Sequence, residues 1–324
     1  MGMNQRGEIA RLARIARPTI AVVTNVGTAH VGNLGSREEI AREKTDLFAA
    51  LGPDGVAIVN LDDPRVEAHA GRAPGRVVRF GHDPAADVRA EGVRFLDRGA
   101  FAFELVTPRG RRPVEIPGLA ETLVINGLAA AAAALEAGAD LDDVEEGLAR
   151  FENVGGRMAR RSLPGNVMLI DDTYNANPQS VRAALESLSQ LKGSGRGFAV
   201  LGDMGELGED AGSAHRDAGR WAAELGIDYL VAVGEQAETM ARAATAEGMP
   251  RDHVRTWPRG ADDAEEAGRD LAALLRPRDW ILVKGSRAMR MERVVESVAR
   301  HLEAGAPEPA VGAVGDPAME REAR

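Results

Sequence analysis

The sequence predicts an α/β protein of two domains, the second built on a parallel, doubly wound sheet. Three observations lead there. The chain has 324 residues, more than one core of about 150 residues usually organises. In its second half, apolar runs at residues 167–170, 198–201, 229–233 and 280–283 alternate with helical stretches, with a weaker run at 254–257. That alternation is the signature of repeated strand–helix–strand units. In the first half, residues 88–117 alternate about Asp97-Arg98-Gly99, as an antiparallel hairpin and its continuation do.

Each element follows in order. Residues 6–15 have helical spacing and Pro18 closes them; the β-branched run 19–23 reads as a strand ending at Thr24-Asn25. A Gly-rich polar loop leads to Ser36, placed to cap a helix with Glu39 completing a capping box. Residues 55–60 read as a buried strand, Asp62-Asp63-Pro64 as a turn and 77–80 as another strand. An Ala-rich helix over 123–138 carries Asn126, and a second helix over 140–151 leads to Gly155-Gly156-Arg157. Past about Leu302 the chain is Ala, Gly, Pro and charge without periodicity, which reads as disordered.

Composition excludes several classes. The net charge of −10 and only 4% aromatic residues argue against a nucleic-acid surface or a base-stacking platform. No apolar run approaches the roughly 18 residues of a membrane span, so no membrane insertion is expected. The absence of Cys excludes disulfides, thiolate nucleophiles and Cys-based metal sites. With no signal-peptide pattern at the N-terminus, a cytoplasmic location is the expectation.

Ligands of doubly wound sheets gather at the carboxyl ends of strands, and the polar clusters here follow the apolar runs. IDDTYNANPQS, residues 170–180, places two carboxylates, a Tyr and two Asn directly after a strand. A helix-capping loop explains Asn177 or Asp172 but not all five groups. VKGSR, residues 283–287, offers backbone donors, a hydroxyl and two cations suited to a carboxylate or phosphate; an ordinary turn capped by Ser286 is the plain alternative. GDMGELG, residues 202–208, is as compatible with a structural turn as with a substrate loop. Only three of the 40 basic residues are Lys: Lys44, Lys192 and Lys284. A desolvated Lys becomes neutral and nucleophilic, which Arg does not. The Lys44 amine could add carbon dioxide, and the resulting carbamate, with His30 and phosphate oxygens, would suit Mg²⁺. His69, His82, His215, His253 and His301 form no constellation and read as surface residues. No G-x-x-x-x-G-K-[ST] phosphate loop occurs anywhere in these residues.

TNVGTAHVGNLGS, INGLAAAAAAL, GGR, IDDTYNANP, VLGDMGELG and LVKGSR occur in this order, and together they resemble the Mur ligases. DDTYNANP is similar to the branch that joins D-alanyl-D-alanine to UDP-MurNAc-tripeptide. The resemblance runs from about Met3 to Leu302. It implies the remainder of a central ATPase domain at 1–153 without its phosphate-loop portion, a Rossmann-like ligase domain at 154–303 and a disordered tail at 304–324. It also implies that the first domain belongs to a longer true sequence or to a separate N-terminal polypeptide. The implied chemistry is ATP-dependent amide formation through an acyl phosphate, with Mg²⁺. Carried onto this sequence, Lys44 would be the carbamylated Mg²⁺ ligand and His30 its partner. Asn126, Arg157 and Asp172 would contact ATP, while Tyr174, Asn175, Asn177, Lys284, Ser286 and Arg287 would line the approach of the dipeptide. Gly32 stands where an acidic residue is usual. Two other readings are a non-catalytic nucleotide- or dipeptide-binding module and another ligase of the superfamily, such as a folylpolyglutamate type, which DDTYNANP disfavours.

Overall fold

The structure is a computed structural model that describes residues 1–27, 31–96, 99–259 and 263–305. The first half begins with α1 (Glu8–Ala16), β1 (Ile20–Val23), α2 (Val31–Leu34), α3 (Arg37–Ala49), β2 (Val56–Asn60), α4 (Pro64–Glu67) and β3 (Arg76–Gly81). It continues with β4 (Val88–Leu96), β5 (Ala100–Thr107), β6 (Gly110–Pro117), α5 (Thr122–Glu136) and α6 (Leu141–Ala149). Its sheet has the order β1-β2-β3-β4-β5-β6. Strands β1 to β4 are parallel and β4-β5-β6 is an antiparallel meander, as the alternation predicts; the tip residues Asp97 and Arg98 lie outside the described residues.

Helices cover both faces of this sheet, so β2 is apolar on both sides. Val56 and Ile58 face a core with Val124 and Leu128 of α5 and Val144 of α6, whereas Ala57 and Val59 face Ile9 of α1 and Ile40 and Phe48 of α3. The Asp62-Asp63-Pro64 turn opens α4: Asp63 accepts the N–H groups of Arg65 and Val66, with Pro64 in the first turn.

The second half contains β7 (Ala159–Leu163), β8 (Val167–Asp172), α7 (Pro178–Leu191), β9 (Gly197–Gly202), α8 (Ala211–Glu224) and β10 (Tyr229–Val233). It ends with α9 (Ala237–Ala246), β11 (Val254–Trp257), α10 (Ala264–Leu274), β12 (Trp280–Lys284) and α11 (Glu292–Gly305). The sheet order is β11-β10-β9-β12-β8-β7, parallel except for β7. Helices α7, α8 and α9 bury one face, with Leu185, Ala218 and Met240 against Ile170, Leu201 and Leu282. Helices α10 and α11 bury the other, with Leu271 and Val294 against Leu169, Phe198 and Ile281. All five apolar runs are strands. The sequence reading missed β7, whose Ala-Arg-Arg-Ser-Leu run is polar and mostly exposed, as an edge strand tolerates.

No described helix is long and apolar enough to cross a membrane. The tail expectation is corrected at its start, since α11 continues through Gly305, and otherwise falls on 306–324, outside the described residues.

Helix α3, which carries Lys44, is fixed at its neighbour Glu43. This buried carboxylate accepts the N–H groups of Gly7 at 2.8 Å and Ile9 at 2.9 Å. It thereby closes the start of α1, whose N-cap Gly7 has φ 83° and no side chain to cap with. Glu43→Ala should lower unfolding stability by about 2 kcal/mol in urea denaturation, with Glu43→Gln retaining part of it, because charged acceptors of buried N–H groups contribute most.

Candidate functional site

Strands β8 and β12 are neighbours, but the chain leaves them toward opposite faces, from β8 into α7 and from β12 into α11. A crevice opens at such a divergence. The last residues of the two strands, Asp172 and Lys284, are register partners there. Lys284 is 2% exposed, so protein atoms replace its water. Its Nζ donates to Asp172 Oδ2 at 2.5 Å and to the Asn175 carbonyl at 2.9 Å. Asp172 Oδ1 accepts the N–H of Met158 at 3.1 Å.

The segment after β8 folds back under local hydrogen bonds. Asp171 Oδ1 accepts the N–H and hydroxyl of Thr173 at 3.2 and 2.6 Å. The Tyr174 N–H donates to Gly156 O at 2.9 Å, and Gly156 has φ +76°, with an added Cβ 3.2–3.3 Å from Tyr174. Glycine therefore serves both the left-handed turn and the close approach. The Arg157 guanidinium lies 4.0 Å from the centroid of the half-exposed Tyr174 ring, a cation–π contact. Asn177 forms a capping box with Ser180 and opens α7, with Pro178 at the first position. The capping account is thus correct for Asn177, and Asn175 Oδ1 accepts the Ala176 N–H. Tyr174, Arg157 and the Asp172–Lys284 pair present the remaining chemistry.

Around them lies a cavity of about 500 Å³, between the start of α5 and the start of α7. It brings together seven of the predicted residues: Asn126, Arg157, Asp172, Tyr174, Asn175, Asn177 and Lys284. Phe151 and Asn153 also line it; sequence reasoning missed them, and neither sits in a motif. Ser286 and Arg287 are not on this wall. Ser286 is buried and its N–H donates to Asp203 O at 2.9 Å, while the exposed Arg287 pairs with Glu292 at 3.0 Å.

The Lys44 centre is assembled in the first half. Ser36 caps α3, accepting the Glu39 N–H at 3.2 Å, and the Glu39 carboxylate turns to Arg6 and Arg42. Lys44 is half-buried and its Nζ donates to Asn25 O at 2.8 Å. Burial holds its ammonium below the ordinary lysine value, and the negative charge of Asp63 partly opposes this. Asp63 also accepts the Val26 N–H at 2.6 Å, and Asn60 donates to Thr24 O at 2.6 Å, so the loop after β1 is held at its start. His30 lies outside the described residues. Among the described residues, no group of three or more His, Asp or Glu is arranged to hold a metal ion. Lys44 is not on the cavity wall.

The surface reading of the other histidines is wrong for His215, which is 1% exposed. It also misses His253, which stacks on Tyr229 with centroids 4.2 Å apart.

Comparison with known proteins agrees with this architecture. Residues 1–134 match the Mur ligase middle domain, and residues 156–287 match the Mur ligase glutamate ligase domain. The chain belongs to the Mur ligase family. The UDP-N-acetylmuramoyl-tripeptide--D-alanyl-D-alanine ligase of Mycobacterium tuberculosis is 39% identical to this Mur ligase chain over 312 residues, covering 92% of the chain and 61% of the relative. The Escherichia coli ligase of the same name is 34% identical, covering 92% and 64%. A crystal structure of MurF from Acinetobacter baumannii superposes with a TM-score of 0.81 at 34% identity, covering 93% of this chain and 64% of that one. MurF from Thermotoga maritima in complex with ADP gives 0.79 at 29% identity, covering 94% and 66%. This Mur ligase chain therefore spans about 61% of the length of its mycobacterial relatives.

Gly156→Ala places a side chain at φ +76° against Tyr174. The expected loss is about 1–2 kcal/mol, read as a lower urea midpoint with an unchanged slope.

Proposed function

We propose that this chain supplies the nucleotide- and amine-handling part of an ATP-dependent amide ligase of peptidoglycan precursor synthesis, one that adds D-alanyl-D-alanine to UDP-MurNAc-tripeptide. The observation that carries this reading is the cavity at the divergence of β8 and β12, where Asn126, Arg157, Asp172, Tyr174 and Lys284 converge. The relatives carrying that name and the ADP complex of the T. maritima enzyme support it. A division into domains at 1–153 and 154–303, and a cytoplasmic location, belong to the same reading.

In this reaction a carboxylate oxygen of the tripeptide attacks the γ-phosphorus of ATP, and ADP leaves. The dipeptide amine then attacks the acyl carbon, loses a proton, and expels inorganic phosphate. Positioning and charge neutralisation do most of such work. Arg157 is an exposed cation at the cavity mouth, suited to phosphate. Asp172 lines the cavity, where its carboxylate, already accepting from Lys284 and Met158, would take a ribose hydroxyl on a remaining lone pair, and Asn126 presents an amide from α5. Tyr174, Asn175 and Lys284, on the cavity wall, would border the amine's approach; Ser286, off that wall, would contribute through the backbone that the Asp203 carbonyl holds. Asn177 contributes through its cap, and Arg287 would have to leave Glu292 to reach substrate.

Lys44 fits a magnesium ligand by donor chemistry: its burial favours the neutral amine, and carbon dioxide would form an N–C bond at Nζ with release of one proton. The carbamate and His30 would hold Mg²⁺. When bound, the ion neutralises phosphate charge. The phosphate loop would come from residues outside this sequence, such as a separate N-terminal polypeptide.

Two measurements test the reading. Calorimetry should show ADP binding that Arg157→Ala weakens about tenfold, the equivalent of one lost charged contact; undiminished binding in the variant removes Arg157 from the site. In the presence of the first third of a mycobacterial relative, ATP- and dipeptide-dependent phosphate release is expected, whereas binding without release would favour the non-catalytic module. Because the Lys44 ammonium is depressed, its neutral fraction grows with pH. A ¹³C carbamate signal under constant ¹³CO₂ pressure should therefore rise with pH and vanish in Lys44→Arg.

A further inference from the structure

The 202–208 segment after β9 is held at several points. The Asp203 carbonyl accepts the Ser286 N–H at 2.9 Å, and its carboxylate accepts the N–H groups of Glu235 and Gln236 at 2.8 and 3.0 Å. The next residue, Met204, donates its N–H to Nε2 of His215 at 2.8 Å. His215 stands one turn into α8, and its Nδ1 lies 2.6 Å from the Ala211 carbonyl oxygen.

These partners determine the ring's state. A carbonyl oxygen only accepts, so Nδ1 carries the proton; an amide N–H only donates, so Nε2 offers a bare lone pair. The buried ring is therefore a neutral imidazole protonated at Nδ1. The Asp203 carboxylate, 3.9 Å from Nε2, is beyond hydrogen-bond distance and already accepts two backbone N–H groups.

The loop so pinned reaches toward both halves of the protein. Next to Met204, an added Cβ on Gly205 would lie 3.6 Å from the Ser286 Cβ. Farther along, an added Cβ on Gly32, in the short helix α2, would lie 2.9 Å from the Glu206 carbonyl oxygen. The absence of a side chain at Gly32 thus admits the 203–208 backbone against the first half.

We infer that His215 is a positioning residue for the amine-substrate side of the site. Its Nδ1–H imidazole holds Met204, and through the Asp203 carbonyl it sets the backbone of Ser286 and the loop face opposite Gly32. This rests on the ligase reading above. His215 touches no substrate, and the cavity that holds Asn126, Arg157 and Asp172 together with Tyr174 and Lys284 does not include this loop; the link to the amine side runs through Ser286.

Long-range ¹H–¹⁵N correlation on the histidine-labelled chain should show His215 neutral, with the proton on Nδ1. Hydrogen exchange of the wild type should show the Met204 amide protected. In His215→Phe, which keeps a ring but removes the acceptor, exchange over 203–208 should quicken by about tenfold or more while β8 and β9 stay unchanged. His215→Gln, whose amide oxygen can accept from Met204, should restore most of the protection, and it supplies the comparison if the Phe variant does not fold. In the ligase assay, His215→Phe should raise the KM for dipeptide about fivefold and leave that for ATP unchanged. An Nε2–H tautomer, a Met204 amide unprotected in the wild type, or dipeptide and ATP KM values rising together would overturn the assignment. Absence of dipeptide turnover in the wild type would instead count against the ligase reading, and the tautomer and exchange results would still decide the role of His215 in the loop.

Discussion

The ion pair between Lys284 and Asp172 is the constraint on which the candidate site depends. A buried ammonium is tolerated only where protein oxygens replace its hydration, and here they come from the adjacent strand end and the Asn175 carbonyl. The pair fixes the end of β12 against β8 and ties down the turn leading to Asn177. It also orients Asp172, whose second oxygen holds Met158 beside the Gly156 turn. From that turn Arg157 reaches back over Tyr174. One desolvated charge pair thus connects a strand divergence, a glycine turn and a cation at the cavity mouth.

The first half contributes a half-buried amine set on α3. Glu43 and Lys44 are consecutive on α3 and do opposite things: Glu43 buries its charge under the start of α1, while Lys44 is held by Asn25 at the edge of the loop after β1. Gly32, in the short helix α2, lies against the 203–208 backbone, so the two halves meet beside the His215-pinned loop.

Much of this was legible in the sequence because it rests on short-range rules. The apolar runs had to be strands of a sheet covered on both faces, and Ser36, Asp63 and Asn177 are cap residues whose side chains find N–H groups two or three positions on. IDDTYNANP stood out because too many polar groups follow one buried strand, and Asp172, Tyr174, Asn175 and Asn177 do line one cavity. Long-range geometry was not legible. Nothing local to Lys284 names Asp172 as its partner, 112 positions away. The polar edge strand β7 has no apolar period, and Arg287 turns to Glu292 rather than the cavity. His215 stands in a helix whose burial is decided by α7 and α9, so its ring appeared to be a surface group.

The most direct test is a double-mutant cycle on Asp172→Asn and Lys284→Met, measured by urea unfolding. If the pair organises the crevice, the coupling energy should be about 2 kcal/mol or more, because either single change leaves a buried charge or a dipole without its partner. A coupling below about 0.5 kcal/mol, the range of exposed ion pairs, would contradict the account.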